Sequence, residues 1–467
     1  MTFEDLKYLN TPLPENILKE KWSGHFDLAR KMIEYRLENE NVSKAMKARL
    51  ELELQNMQLF EERYTYTEDE AVKAVQKRIP DFTREELEEL RINGKVDYAY
   101  INGELRFLDS FVGTLFGSFG KEFWPRAVEE EPADDNANLI NDFVLKYKDK
   151  DEAKAFIHVK HEIYIDDEEV EEGKILKLHI PLPHETDELS EVKLIAADPI
   201  PDKLPSIDEL QPTAYFEFEY KKGMRPFVEY SLINTMKIHD TSKLDLDLIM
   251  EAYEKEGYPK NVQKYLEEKA PHIVFTPYLK DLCAEIVGDE VNPLLKARAI
   301  YDWVTQNVKY RYMREYASID NIPEYIAAGR RGDCGVQGLI FITLCRIAGV
   351  PAYWQSGLDA EPNSVGEHDW AKFYIPAVGW MYCDPSFGTS AWRNQNMDKW
   401  NFYFGNLDPY RLPFNNDVQE ELVPAKKFPR KDPYDNQTGE AEYDDKGFTA
   451  EHMHRTFTDL GIKIIEE

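Results

Sequence analysis

The strongest constraint on the fold of this chain is a segment, residues 336–348, whose side chains are apolar on almost every face of a helix. A helix of that kind has to be buried on most of its sides, because it has no polar face to turn toward water. Gly349 and Pro351 follow the segment and predict where it ends. The chain therefore has to surround this helix with other elements.

Cys334 lies in the first turn of this predicted helix, directly after the residues "RRGD". Unpaired backbone N–H groups and the positive end of the helix dipole at that position favour a thiolate over a thiol. Gly332, Gly335 and Gly338 are expected to leave the approach to the sulfur open. Cys345 lies in the middle of the same helix and is expected to be a small core residue. Position therefore selects Cys334 as a candidate nucleophile.

The segment "HDWAKFYIPAVGWMYCDP" (368–385) predicts a β-hairpin that supplies the proton partner. His368 opens the first strand, and histidine is the side chain best suited to proton transfer near neutral pH. An even pairing sum, such as 374 with 380, places Asp384 on the same face as His368, whereas a slip by one residue separates them. Asp384 would then orient one imidazole nitrogen while the other faces Cys334. Cys383 is expected on the opposite, core-facing side.

These two segments together resemble the core of the transglutaminase-like superfamily, over about 120 residues from near Pro271 to Gly388. The resemblance implies a papain-like α+β core in which Cys334, His368 and Asp384 form a catalytic triad. It also implies acyl transfer on amide bonds through a thioester intermediate. The preceding β-rich region is similar to the β-sandwich that precedes this core in many bacterial members.

The family contains amide-crosslinking enzymes, thiol proteases, peptide N-glycanases and catalytically dead scaffolds, so the fold alone does not assign a substrate. The glycanases carry C-x-x-C zinc pairs, which this sequence lacks. The sequence does not decide between hydrolysis and transamidation. Stabilising the oxyanion requires the Cys334 N–H and a second donor, for which Tyr310 and Tyr312 are the candidates. The alternative function is a catalytically inactive binding or scaffolding protein. Its expected sign is a Cys334 covered by the C-terminal tail or by residues 1–127.

Changes in sequence pattern predict an α+β multidomain chain. Capping-box patterns at Thr67 and Thr83 and an Asn102-Gly103 turn indicate helices followed by a hairpin. Residues 129–138 are acidic and are interpreted as a linker. From near residue 151, apolar and polar side chains alternate with a period of two, which indicates β-strands. The predicted regions are a mainly helical N-terminal domain with a hairpin (1–127), a β-sandwich-like domain (151–245), the catalytic core (255–391) and an extended C-terminal wrap (392–467).

The charge of the chain bears on its partners. It has 88 acidic and 57 basic residues, a net charge of −31 and a pI near 4.8. A field of that sign repels phosphate backbones and anionic membranes. Two helices followed by a hairpin could form a winged-helix DNA reader, but the second helix is rich in Glu. We therefore expect neither nucleic acid nor membrane as a partner, and expect a protein or peptide substrate with Gln or another amide.

No cofactor or metal is expected. The four cysteines (Cys283, Cys334, Cys345, Cys383) lack metal-ligand spacing. The acidic tail residues 432, 435, 436 and 440 do not match the EF-hand spacing, so a solvated surface is the preferred interpretation. The N-terminus has no signal-peptide pattern. We therefore expect a cytoplasmic chain with free thiols, or a secreted one if a signal was trimmed.

Overall fold

The computed structural model describes residues 3–132 and 135–466, and it combines helices with four antiparallel sheets in that part of the chain. This confirms the mixed α+β class. No helix among the described residues is both long and apolar enough to cross a bilayer. The boundaries of the predicted domains stay predictions, because hydrophobic clusters continue from the β-rich region into the core.

The first region is mainly helical and carries a small sheet with the strand order β1-β3-β2. Asn102 and Gly103 connect β2 to β3 with φ angles of 50° and 82°, as a tight hairpin turn requires. Its elements are α1 (Glu15–Trp22), α2 (Phe26–Asn39), α3 (Lys44–Arg63), β1 (Tyr66–Thr67), α4 (Glu68–Gln76), α5 (Arg84–Ile92), β2 (Tyr98–Ile101), β3 (Glu104–Phe107), α6 (Phe111–Ser118) and α7 (Gly120–Phe123), with 3₁₀ turns at Phe3–Asn10 and Trp124–Arg126.

Both capping boxes are confirmed, at the starts of α4 and α5. Thr83 accepts a hydrogen bond from the Glu86 N–H at 3.2 Å, and the Glu86 carboxylate accepts one from the Thr83 N–H at 2.9 Å. We expect Thr83→Ala to lower the free energy of unfolding of the N-terminal region by about 1 kcal/mol, because a helix-start N–H loses its partner. Urea unfolding followed by circular dichroism measures this. Thr83→Ser keeps the hydroxyl and should stay near wild type; equal losses in both variants would contradict the capping role.

The second region is β-rich, and its first strand alternates buried and half-buried side chains along its length. The helix that precedes it begins inside the segment interpreted as a linker. The elements are α8 (Asp135–Tyr147), β4 (Glu152–Ile165), β5 (Ile175–Pro181), β6 (Leu189–Asp198), β7 (Thr213–Glu219) and β8 (Phe227–Lys237).

The third region contains the buried helix, α14, in which every residue from Gly335 to Arg346 is buried. Its sheet has the strand order β12-β11-β10-β9-β13. The elements are α9 (Leu246–Glu256), α10 (Lys260–Gln263), α11 (Pro277–Val287), α12 (Pro293–Asn307), α13 (Ile322–Gly329), α14 (Cys334–Ile347), β9 (Ala352–Glu361), β10 (Ser364–Ile375), β11 (Gly379–Cys383), α15 (Pro385–Arg393), α16 (Met397–Phe402), β12 (Phe404–Gly405) and β13 (Arg411–Asn415), with 3₁₀ turns at Thr241–Lys243, Lys264–Leu266 and Tyr316–Ser318.

The core sheet is covered on both faces. One face, with Ala371 and Phe373 of β10, packs against α14 and its neighbouring helices. The other face, with Trp370 and Tyr382, joins the hydrophobic cluster of the β-rich region. Burial on both faces fixes the strand register, because a slip by one residue would exchange the two sets of side chains.

The last segments of the chain add β14 (Glu440–Glu442) and β15 (Met453–Ile465) to the β-rich region. The strand order is β14-β5-β7 in one sheet and β15-β4-β8-β6 in the other. The predicted C-terminal wrap therefore includes strands that complete both sheets. Strand β15 pairs with β4 along almost its whole length.

The expectation of a solvated acidic surface near residues 432–440 was wrong. Asp435, Asn436 and Glu440 are at least 97% buried. Glu440 accepts hydrogen bonds from Lys426 at 2.7 Å and from the backbone of residues 431 and 432, so a cation and two N–H groups compensate its burial. No group of three potential metal ligands gathers here or elsewhere in the ranges 3–132 and 135–466.

Candidate active site

Cys334 is the first residue of α14, as predicted, and the residue before it caps the helix. One oxygen of Asp333, Oδ1, accepts the Val336 N–H at 3.2 Å and the Tyr316 hydroxyl at 2.5 Å. The sequence analysis did not identify Asp333 as the cap. The signal was available, since Asp directly before an apolar helix is a preferred N-cap residue.

The sulfur of Cys334 is partly buried and donates a hydrogen bond to Oδ2 of Asp369, at 3.3 Å. Burial and the nearby carboxylates of Asp369 and Asp333 raise the pKa of the Cys334 thiol well above its usual value. This opposes the expected thiolate, because two carboxylates lie close to the helix start. Gly335 also does not leave open space: a Cβ there would lie 2.7 Å from Asp369 Oδ2 and 2.3 Å from the Tyr316 hydroxyl.

The hairpin has the even register that the site requires, with Tyr374 opposite Trp380. As a result, Nε2 of His368 lies 2.7 Å from Oδ2 of Asp384. Burial opposes ionisation of Asp384, but the adjacent His368 and the Arg411 guanidinium outweigh it and lower the pKa of this carboxyl. Cys383, on the other face of the strand, is fully buried as predicted.

The second oxygen of Asp384, Oδ1, is held in place by the start of α15. It accepts the Ser386 hydroxyl at 2.9 Å and the Phe387 N–H at 3.0 Å. The Phe387 ring packs edge-on against the His368 ring, with centroids 5.1 Å apart. Because Asp384 occupies Nε2, Nδ1 is the imidazole nitrogen left for another partner.

The structure thus brings two of the three predicted site residues together. His368 and Asp384 form a hydrogen-bonded pair, whereas the sulfur of Cys334 bonds to Asp369. Among the described residues, no hydrogen bond joins the sulfur to the His368 ring. Residues 368 and 369 are successive on β10, and successive strand side chains point to opposite faces. The sulfur therefore contacts the residue that follows His368 on β10 and is not bonded to the imidazole.

Sequence reasoning missed Gln437, which reaches the site from the C-terminal segment. Its Nε2 donates to the carbonyls of Gly357 and His368 at 2.9 and 2.8 Å, and to Oδ1 of Asp369 at 3.1 Å. No local pattern marks this residue, because its partners are far away along the chain. Its role depends on how the last segment folds over β9 and β10.

Arg411, at the start of β13, was also missed. Its side chain is fully buried, with Nε 3.8 Å from Oδ2 of Asp384 and with Asp359 and Asp408 as further partners. The guanidinium lies over the Phe387 ring, 4.0 Å from its centroid. Arg411 therefore supplies positive charge behind the His368–Asp384 pair.

The two candidate oxyanion donors lie in different surroundings. Tyr312 is 44% exposed, and a Cβ added at Gly113 would lie 3.3 Å from its ring. Tyr310 is partly buried, and burial followed by the charge of Cys334 raises the pKa of its hydroxyl well above the usual value. The charge of Cys334 thus acts on the Tyr310 hydroxyl.

Part of the chain matches a protein-family model. Residues 280–385 match the model of the transglutaminase-like superfamily. The chain therefore carries a transglutaminase-like domain over these residues. Cys334, His368 and Asp384 all fall inside it.

Two curated relatives are similar to parts of the chain. An uncharacterized protein of Haemophilus influenzae is 26% identical over an alignment of 208 positions, and the match covers 37% of this chain and 56% of that protein. The uncharacterized protein YebA of Bacillus subtilis is 23% identical over an alignment of 129 positions, and the match covers 24% of this chain and 17% of YebA. The matches thus span about half of the first relative and less of the second.

Two solved structures are also similar. A "putative cysteine protease" from Cytophaga hutchinsonii is 14% identical with a TM-score of 0.43, covering 67% of this chain and 92% of that one. The periplasmic domain of TgpA from Pseudomonas aeruginosa is 14% identical with a TM-score of 0.28, covering 56% of this chain and 95% of that one.

Proposed function

We propose that this protein is a cysteine-dependent acyl-transfer enzyme that acts on amide bonds of proteins or peptides, with Cys334, His368 and Asp384 as its triad. The observation that carries the proposal is the hydrogen bond between His368 and Asp384, next to a helix that begins with Cys334. It is supported by the transglutaminase-like match that contains all three residues. A papain-like core and the predicted domain division are part of this proposal.

In the proposed reaction, Cys334 attacks the amide carbonyl and His368 takes the thiol proton and returns it to the leaving amine. Asp384 fixes the imidazole tautomer and stabilises the imidazolium. Water or an amine then attacks the thioester carbonyl and takes the acyl group, which releases the Cys334 thiol. The Cys334 N–H and the Tyr310 hydroxyl are the proposed oxyanion donors. Each positioned proton transfer contributes roughly 10²- to 10⁴-fold to the rate.

The reaction requires the thiol to exchange one partner for another. The sulfur has to leave Asp369 and turn toward the imidazole. Cys334 has a single side-chain torsion, and rotation about its Cα–Cβ bond moves the sulfur between staggered positions. Since Nε2 of His368 is bound to Asp384, Nδ1 is the nitrogen that would receive the proton.

A catalytically inactive binding or scaffolding protein is the second candidate. Two observations favour it: the sulfur is bonded to a carboxylate, and Gln437 of the C-terminal segment covers the strand beside it. The N-terminal region also contacts the segment just before Cys334, since Arg331 donates to the Asn93 carbonyl at 2.7 Å.

The test is a product assay on a library of Gln-containing peptides, with and without a primary amine, read by mass spectrometry. We expect hydrolysed or amine-coupled products from the wild type and none from His368→Ala. Glu367→Gln, which changes the residue next to His368, serves as the matched control and should keep its activity. If neither product forms in any condition, acyl transfer fails and the inactive candidate is favoured.

A further inference from the structure

The proposed mechanism gives no role to Asp369, although it is the group in contact with the reacting sulfur. Asp369 is 94% buried and lies on β10, directly after His368. A carboxyl group buried so deeply needs hydrogen-bond donors, and two of its donors are informative. Oδ2 accepts from the Cys334 thiol at 3.3 Å, and Oδ1 accepts from Gln437 at 3.1 Å.

Gln437 restricts where the Asp369 carboxyl can move. The same Nε2 also donates to the Gly357 and His368 carbonyls, so the amide is tied to β9 and β10 at the level of the site. Its neighbour Asn436 is buried, and Gly439 donates to Asn436 Oδ1 at 2.9 Å, which fixes the loop that presents Gln437. Asp369 is thus held between the thiol and the hydrogen-bonded loop that carries Gln437.

The charges around Asp369 act on the thiol as well. Burial and the carboxyl groups of Asp435 and Asp333 raise the pKa of Asp369 well above its usual value, whereas the hydrogen bond from Cys334 works in the opposite direction. Asp435 accepts a hydrogen bond from Ser356. The sulfur thus lies among acidic groups. Burial, Asp369 and Asp333 raise the pKa of the Cys334 thiol, which favours its protonated form.

We propose that Asp369 is a positioning residue that holds Cys334 as a thiol turned away from His368, and that Gln437 of the C-terminal segment keeps Asp369 in that place. The proposal deepens the function proposed above, because it concerns the readiness of the same nucleophile. Release of the Asp369 contact, by movement of the Gln437 loop or by a bound substrate, frees the sulfur to reach the imidazole.

The experiment measures alkylation of Cys334 by iodoacetamide at pH 7 in the full chain, with the modified peptide identified by mass spectrometry. We expect Asp369→Asn and Asp369→Ala to react at least about tenfold faster than wild type, since the thiolate fraction grows tenfold for each unit by which the thiol pKa falls. Gln437→Ala should accelerate the reaction by a smaller factor. The midpoint of the alkylation pH profile should move to lower pH in Asp369→Asn.

Glu367→Gln is the matched control. It removes one negative charge from the β10 residue that precedes His368. The Glu367 carboxylate pairs with Arg455 and does not contact the sulfur among the described contacts. We expect its alkylation rate to stay within about twofold of wild type. Cys283, Cys345 and Cys383 are buried and report unfolding, because they should stay unmodified in every folded variant. Asp369→Asn is nearly isosteric and decides the question if Asp369→Ala does not fold.

Alkylation of Asp369→Asn at or below the wild-type rate, with the three buried cysteines unmodified, would overturn the proposal. The alkylation result can be distinguished from the result that tests the proposed function. Faster alkylation without any amide turnover supports the role of Asp369 and rejects acyl transfer. Amide turnover with an unchanged alkylation rate in Asp369→Asn supports acyl transfer and rejects the role of Asp369.

Discussion

Replacing Cys334 by Ala should lower amide turnover at least about a thousandfold, to the background of the assay, because no other group can form the thioester. The thermal unfolding midpoint should change little. The side chain is only partly buried, and the helix cap is supplied by Asp333, which stays in place. Product formation under saturating peptide and differential scanning calorimetry give the two measurements.

Cys345→Ala is the matched control for this prediction. It removes the same thiol from the same helix, but at a fully buried position in the core. We expect it to keep its turnover and to lose stability, since a buried site is left underpacked. Turnover that survives in Cys334→Ala, or that is lost equally in both variants, would contradict the assignment of the nucleophile.

Lys372→Met should be the most destabilising of the substitutions considered, by about 3–5 kcal/mol. Lys372 pairs with Glu188 of the β-rich region across the face of the core sheet, and the two side chains are 91% and 92% buried. The Tyr382 hydroxyl donates to the same Glu188 oxygen at 2.7 Å. Removing the ammonium leaves a buried carboxylate without its cation, which is far more costly than removing the whole pair.

Urea unfolding of Lys372→Met and of the double variant Lys372→Met/Glu188→Gln tests this account. The double variant should recover most of the lost stability, because its buried group is no longer charged. A single variant that loses less than about 1 kcal/mol, or a double variant that is no better than the single one, would show that the pair does not join the two regions.

The same pair predicts how stability depends on pH. Burial opposes ionisation of Glu188, but the Lys372 charge and hydrogen bonds from Lys372, Tyr382 and Thr186 outweigh it and lower the pKa of Glu188 to about 2. A carboxyl whose pKa is lower in the folded state adds stability above its unfolded pKa of about 4.3. This contribution should be complete above that pH and disappear as the pH falls toward 2.

Local sequence patterns were sufficient for the parts of the site that local physics determines. The apolar segment with Gly349 behind it could only form a buried helix, which fixed Cys334 at the first turn. The alternation in the hairpin fixed the register that brings His368 to Asp384, because both faces of the strand are buried. These features follow from hydrophobic period and turn chemistry within short stretches of chain.

The remainder depends on contacts between distant residues, which a single sequence does not reveal. Arg411 and Gln437 reach the site from strands and loops that follow it by tens of residues. Asp369 was visible in the sequence, yet only the packing of α14 against β10 shows that it meets the sulfur. The acidic tail was misread for the same reason: Lys426, which compensates Glu440, lies outside its local pattern.

The central claim is that Cys334 forms a covalent thioester in a site built with His368 and Asp384. Its most direct test is intact-protein mass spectrometry after acid quench of the wild type mixed with a Gln-containing peptide, followed by location of the adduct. The account predicts the acyl mass on Cys334 in the wild type and on no residue in Cys334→Ala. An acyl group on another residue, or no adduct while product accumulates, would contradict it.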